Sequence, residues 1–199
     1  CDLLEIILEC FSIESGKFLD VAGGYGLLTR SMRDKGFDCY TTDKYCVNLF
    51  AKTFEPDPHF VADALFAFEV LEHIEDPLQF MGDIFTQYGC KTFIFSTVTF
   101  DFPIPSNDWW YYAFEDGQHI TFYQPRTLSH LAKRFKCNYY MLTTDFHIII
   151  DKDLPSISRL ILFNRYTRNL YSIYVRHKRY GLSKTWDDHL KMKERLKSS

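Results

Sequence analysis

The chain has 199 residues, 46% of them apolar and 18% aromatic, which is enough to bury one substantial core and too little for two independent ones. No apolar run approaches the roughly 18 to 20 residues that span a bilayer. The net charge of −3 hides an asymmetry: residues 1–157 hold 12 Lys+Arg against 23 Asp+Glu, a net −11, and residues 158–199 hold 11 against 3, a net +8; so acidic a body repels phosphates and argues against a nucleic-acid substrate.

Leu3 to Phe11 repeat apolar side chains at helical spacing, and Ser15-Gly16 closes that helix. A strand follows over Lys17 to Ala22, then a glycine turn, a helix from Leu27 to Lys35 that stops at Gly36, and a second strand from Phe37 to Thr42 ending at Asp43. The pattern predicts a helix over Val47 to Thr53, broken by Pro56 and Pro58. Ala64 to Phe68 is a continuous apolar run, as for a strand buried on both faces. Asp76-Pro77 starts a helix through Tyr88, and Thr92 to Thr97 is the next strand. This alternation is the signature of a doubly wound, parallel α/β sheet. A long aromatic loop spans Phe100 to Phe122; a helix over Pro125 to Phe135 and two strands, Asn138 to Thr143 and Phe146 to Asp151, come after it, the strands close enough to pair antiparallel. From Pro155 onward the pattern is helical, basic and rich in Tyr.

The six cysteines (Cys1, Cys10, Cys39, Cys46, Cys90, Cys137) lie far apart without a CxxC pair, so free thiols in a reducing compartment are expected. The opening residues lack the pattern of a secretory signal. A cytoplasmic location is the expectation.

The most informative segment is Phe18-Leu19-Asp20-Val21-Ala22-Gly23-Gly24-Tyr25-Gly26, a glycine turn set directly between a strand and a helix. Glycine there lets the backbone approach a ligand and adopt positive φ. A dinucleotide would place its pyrophosphate at this turn, where Asp20 would repel it; S-adenosylmethionine brings a cationic amino group and a sulfonium instead. The dehydrogenase fingerprint GxGxxG also fails, because Thr29 stands where a third Gly or Ala belongs. Asp43 ends the second strand, a position from which a carboxylate reaches ribose hydroxyls. A nicotinamide dehydrogenase is thereby disfavoured.

Asp20 to Gly26 resembles the first motif of class I S-adenosylmethionine-dependent methyltransferases, and Phe68 to Pro77 (FEVLEHIEDP) resembles the strand-four motif of their type 11 and type 23 branches. Gly117 to Tyr123 (GQHITFY), with Thr127-Leu128 after it, is similar to the GQHxxFY…TL segment of type 23 proteins. The resemblance covers about residues 15 to 150. It implies a Rossmann-like, doubly wound, mostly parallel sheet with an antiparallel last strand and S-adenosylmethionine as cofactor; composition and the change of pattern at Pro155 divide the chain into a domain over residues 1–154 and a basic helical extension, 155–199. The resemblance places Ala22, Gly23, Gly24 and Gly26 around the methionine part with Asp20, Asp43 at the ribose, and Phe68 and Glu69 at the adenine and methionine edge. Two departures stand out. Ala22 replaces the usual first glycine, and only 19 residues separate Asp43 from Asp63, too few for the usual third strand, so the sheet is expected to be shortened at that edge.

Methyl transfer from a sulfonium needs alignment and exclusion of water, plus a base or a metal that acidifies the acceptor. Glu69, Glu72 and His73 have the spacing i, i+3, i+4, which puts all three on one face of a helical turn. In this family Glu72 and His73 also recur as a stiff pocket wall. ExxEH here resembles the divalent-metal set of ubiquinone-pathway and small-RNA 2′-O-methyltransferases, with His119 as a fourth ligand. Without metal, His119 is the preferred general base, and Glu72, His73 and His119 are the candidate catalytic group. Trp109, Trp110, Tyr111 and Tyr112 read as an acceptor lid within the long loop. The expected activity is methyl transfer to a hydroxyl or amine of a small molecule such as a sugar or secondary metabolite; a non-catalytic module that keeps the cofactor pocket is the alternative. The basic tail carries apolar residues at helical intervals from Leu160 to Tyr174. It fits an anionic membrane surface, a partner subunit or the acidic body of its own chain, and the last is the expectation.

Overall fold

The computed structural model describes residues 1–115 and 117–198, with side chains through Glu194; the side chain of Arg195, a cation of the basic tail, lies outside the described residues. In chain order the elements are α1 (Asp2–Cys10), β1 (Lys17–Val21), α2 (Leu27–Asp34), β2 (Asp38–Thr42), β3 (Ala64–Ala67), α3 (Pro77–Tyr88), β4 (Phe93–Ser96), α4 (Pro125–Arg134), β5 (Asn138–Met141), β6 (Phe146–Ile150), α5 (Ser156–Phe163), α6 (Arg165–Lys178) and α7 (Thr185–Ser198). Single 3-10 turns occupy Leu71–His73 and Trp110–Tyr112. Local chemistry sets several boundaries. Asp76 caps α3 by accepting from the Gln79 amide at 2.9 Å, Pro77 fills its first position, and Gly89 ends it in the left-handed region.

The six strands run in the order β2-β1-β3-β4-β6-β5. The chain forms two compact units, residues 1–63 with 154–199, and residues 64–153. In the first, β1 and β2 pair parallel from Lys17 opposite Asp38 to Val21 opposite Thr42. In the second, β3 and β4 pair parallel, while β6 runs antiparallel to both β4 and β5. The sheet is therefore mostly parallel with an antiparallel last strand, the α/β Rossmann-like arrangement expected. Every residue of β3 and β4 is buried, as in a strand covered on both faces, which is why neither segment alternates polar and apolar residues.

The short spacing after Asp43 does remove a strand. No helix or strand occupies residues 44–63 among the described residues, and β2 is the outer strand of the sheet. The helix expected over Val47 to Thr53 is also absent, and this corrects the periodicity reading. Leu49 and Phe50 both donate their amides to the Tyr25 carbonyl, each at 3.0 Å. The Asn48 side chain accepts from the Ala51 amide and donates to the Ala51 carbonyl and to Glu55. Backbone groups that a helix would pair internally are thus spent on a turn and on the Asn48 amide.

In the first unit the basic tail packs against acidic partners of its own chain. Lys178 reaches Glu9 and Glu14, and Arg179 lies 3.6 Å from Glu9. Arg33, fully buried, makes a bidentate pair with Asp188 of α7 at 2.8 and 2.7 Å, with Asp38 at 2.9 Å, and stacks on the Phe54 ring at 3.6 Å. A buried guanidinium is tolerated only when its donors are satisfied in this way. All six cysteines are free. No described helix is long and apolar enough to cross a membrane.

Candidate active site

In the first unit, the β1–α2 turn is shaped by backbone rather than by side chains. Ala22, Gly24 and Gly26 take φ of 55°, 57° and 84°. Gly23 is needed for a different reason: a methyl group on it would overlap the Asp20 carboxylate and the Thr41 hydroxyl, whereas around Gly24 the space is open. Asp20 is almost fully buried, and its pKa is pushed up to about 7, first by burial and second by the charge of Asp43. The Thr41 hydroxyl beside it is buried without a hydrogen-bond partner. A buried carboxylate with no cation near it among the described residues, and an idle hydroxyl beside it, are what a cationic amine would satisfy. Thr41 escaped the sequence reading because a strand threonine carries no local signal; only the β1–β2 register sets it beside Asp20.

Asp43 is already engaged by backbone amides. One carboxylate oxygen accepts from the Gly24 amide at 2.9 Å, and the other accepts from the Tyr45 and Cys46 amides at 2.7 Å. These amides hold its pKa below the usual carboxylate range against the opposing effect of burial. Since a carboxylate offers about four acceptor sites, one remains after three are used.

The second unit carries a cluster of different construction. The Leu71–His73 turn follows β3, and the long loop returns onto it. The Glu72 carbonyl accepts the Ile120 and Thr121 amides at 2.8 and 3.0 Å, the Thr121 hydroxyl donates to the Ile74 carbonyl, and the Tyr123 hydroxyl donates to the Leu71 carbonyl. That return carries His119 to His73, ring centroids 5.0 Å apart. Donor atoms of Glu72, His73 and His119 all lie within 4.8 Å of one another. Glu72 is completely buried, and neither of its carboxylate oxygens has a hydrogen bond of good geometry. Burial raises its pKa and the charge of Glu69 adds to that, while its own backbone amide and the nearby Tyr111 and Thr97 hydroxyls act in the opposite direction. Both histidines use Nδ1 toward a backbone carbonyl, His73 to Gln118 at 2.8 Å and His119 to Tyr111 at 2.7 Å. A carbonyl only accepts, so in the neutral rings Nδ1 carries the proton and each Nε2 keeps its lone pair.

Glu69 stands apart from this group. It is exposed, with φ of 54°, its amide donating to the Ser96 hydroxyl and its carboxylate accepting from the same hydroxyl. Left-handed backbone in a non-glycine residue is held only where the surroundings compel it, and it gathers at functional positions. Half-buried Phe68 packs on Phe146 at 5.6 Å. Ser96 and the Gln118 carbonyl were missed in the sequence, since each acts only through a partner distant along the chain.

The aromatic quartet divides. Tyr111 is buried, its hydroxyl accepting from the Val98 amide at 3.0 Å while its carbonyl holds His119. Trp109 meets Phe100, Tyr111, Tyr112 and Phe122 at ring distances of 5.1 to 6.0 Å. The Tyr112 hydroxyl donates to the Pro105 carbonyl. Only Trp110, 73% exposed, offers a bare ring, alongside exposed Phe102 and Phe114 that the sequence had not singled out.

A parallel sheet with an antiparallel last strand, and an acidic glycine turn at the end of its first strand, define a class I S-adenosylmethionine-binding fold. The family comparison makes this specific: the Methyltransf_23 model, described as a methyltransferase domain, matches residues 1–141, and the chain belongs to that family. It is an S-adenosylmethionine-dependent methyltransferase. Among solved structures, the magnesium protoporphyrin IX methyltransferase of Synechocystis PCC 6803 with bound SAH is similar in fold, at 12% identity over 74% of this chain and 79% of that one, TM-score 0.50. The methyltransferase domain of bacterial CtHen1 matches at 15% identity over 74% and 96%, TM-score 0.47. No curated protein sequence matches the chain.

Proposed function

We propose that this methyltransferase acts on a hydroxyl of a small polar molecule, with a divalent cation held by Glu72, His73 and His119. The supporting observation is the Glu72 carboxylate, fully buried with no hydrogen bond of good geometry to either oxygen and clustered with two imidazoles whose Nε2 lone pairs are left over. An anionic oxygen and two neutral imidazoles make a donor set that suits a divalent metal, and the carbonyls of Gln118 and Tyr111 are the outer partners that orient such histidines. The ion, when bound, would lower the pKa of an acceptor hydroxyl. Amine acceptors remain the second class, and for them His119 Nε2 is positioned as a base. Trp110 is the ring most available to stack on an acceptor, and the acidic body weighs against RNA or DNA.

For the donor, Asp20 is assigned to the amino group of the methionine part, Ala22, Gly23, Gly24 and Gly26 to its carboxylate side, Asp43 to one ribose hydroxyl, and Phe68 and Glu69 to the adenine and methionine edge. Residues 1–154 are read as the catalytic domain, with 155–199 as its basic helical extension.

Thermal melting with Mg²⁺, Mn²⁺ or Zn²⁺ tests the ion directly. At a metal concentration about 100 times its Kd the wild type should gain about 2.7 kcal/mol, reversed by a chelator. Glu72→Gln should lose that gain while still responding to S-adenosylhomocysteine. Identical metal responses in the two proteins would remove the ion from the site and leave His119 as base.

A further inference from the structure

Helices α5 and α6, both in the first unit, carry apolar residues on two faces. One face is packed: Leu162 and Val175 are buried, and the Ser158 hydroxyl donates to the Cys10 carbonyl of α1 at 2.9 Å. The other is bare. Ile157, Leu160, Tyr166, Leu170, Ile173 and Tyr174 are between 54% and 80% exposed. The last four fall at i, i+4, i+7 and i+8, a single helical stripe on the side of α6 away from Val175.

The charge around this stripe is one-sided. From Leu154 to Trp186 there are seven Lys or Arg and no Asp or Glu. Cations at the end of α6 are used within the chain, Lys178 and Arg179 on Glu9. At its start one is not: Arg165 is exposed and makes no ion pair among the described residues, whereas Arg168, half-buried and seven residues before Val175, lies on the packed face and donates to the Leu162 carbonyl at 3.1 Å. A cation in the first turn of a helix opposes the helix dipole, so Arg165 sits there at some cost to α6 and, among the described residues, without an acidic partner to offset it.

An aliphatic stripe with tyrosines and an unpaired arginine at the start of the same helix matches a surface that is apolar and anionic at once. We propose that α5 and α6 dock this protein on the face of an anionic lipid bilayer. Leu170 and Ile173 enter the acyl boundary, Tyr166 and Tyr174 lie at headgroup level, and Arg165 meets lipid phosphates. The association is peripheral and independent of the acceptor proposed above.

Flotation of the full chain with vesicles tests this. Vesicles of phosphatidylcholine containing phosphatidylserine should carry the protein upward roughly tenfold better than phosphatidylcholine alone, and salt should reverse it. Leu170→Glu with Ile173→Glu, and separately Tyr166→Glu, should each cut flotation by roughly tenfold with melting temperature and S-adenosylhomocysteine response unchanged. Arg165→Glu should cut it severalfold. Wild-type protein that stays with the dense fraction, floats equally with uncharged lipid, or floats undiminished in the folded variants would overturn the proposal. So would light scattering that shows a dimer dispersed by Leu170→Glu, because the stripe would then belong to a second copy.

Discussion

The glycine turn of the first unit and the glutamate–histidine cluster of the second, each proposed above to hold a charged ligand, are built in opposite ways. The turn is made of consecutive residues whose backbone does the shaping, and its outside partners are Thr41, Thr42 and Asp43 at the neighbouring strand end and the Leu49 and Phe50 amides on the Tyr25 carbonyl, all within about 30 residues along the chain. The cluster depends on a loop of more than 20 residues being brought back by the Glu72, Ile74 and Leu71 carbonyls. A contiguous site tolerates loss of a remote contact; an assembled one fails when any strut is removed. Mutations should therefore act on binding in the first region and on turnover in the second.

The largest effect sharpens that division. His119→Ala should lower methyl transfer by about 10²–10⁴, the range for a positioned acid–base or oriented ligand, and leave S-adenosylhomocysteine affinity within twofold of wild type. Calorimetry for binding and a methyl-transfer assay for rate read the two quantities separately. Equal turnover in wild type and variant would sink His119 in either role; a parallel loss of affinity would show that the regions are not separable.

Asp20 gives the next largest effect, through pH. Its folded pKa, about 7, lies above its unfolded value near 3.8. Between those values the folded state binds more protons, so stability is greatest on the acid side and falls as pH rises through 7. The loss is of the order of a few kcal/mol, and Asp20→Asn should flatten it. Cofactor binding runs the other way, since a cationic amine needs the carboxylate ionised. S-adenosylhomocysteine affinity should rise by up to about tenfold per unit between pH 6 and 7 and level off above. A flat affinity profile would detach Asp20 from the ligand.

These two regions also explain what was legible in the sequence. Asp20, Gly23, Gly24, Gly26 and Asp43 were readable because strand, turn and helix are neighbours in sequence, and the element order followed from periodicity and capping residues such as Asp76-Pro77. The spacing from Asp43 to Asp63 foretold the missing strand by simple chain length. The same interval misled over Val47 to Thr53, where apolar residues fall at helical intervals but the Asn48 side chain captures the Ala51 amide. Glu72, His73 and His119 were identified, yet what marks them chemically, an unpaired buried carboxylate and two Nδ1 protons held by carbonyls, arises only from long-range contacts. Tyr111 is the sharpest case: expected within the lid, it is buried, and its carbonyl accepts from His119.

The smallest effect tests whether the turn is as self-contained as its sequence implies. Ala22 adopts φ of 55°, where a Cβ costs roughly 1–2 kcal/mol, and its methyl group has no assigned partner in the site. Glycine returns about 0.5–1 kcal/mol of that through the freedom it adds to the unfolded chain. Ala22→Gly should therefore stabilise the protein by up to about 1 kcal/mol, a rise of about 2–4 °C for a chain of this size, with cofactor affinity unchanged or improved. Glu69 is the control from the other region: its φ of 54° carries the same kind of strain, but its carboxylate is tied to Ser96. Glu69→Gly should gain less stability than Ala22→Gly, because relief of the backbone comes with loss of that bond. If the two substitutions stabilise equally, strain at Glu69 is incidental to the site; if neither does, the left-handed positions are held by surroundings that glycine cannot relax.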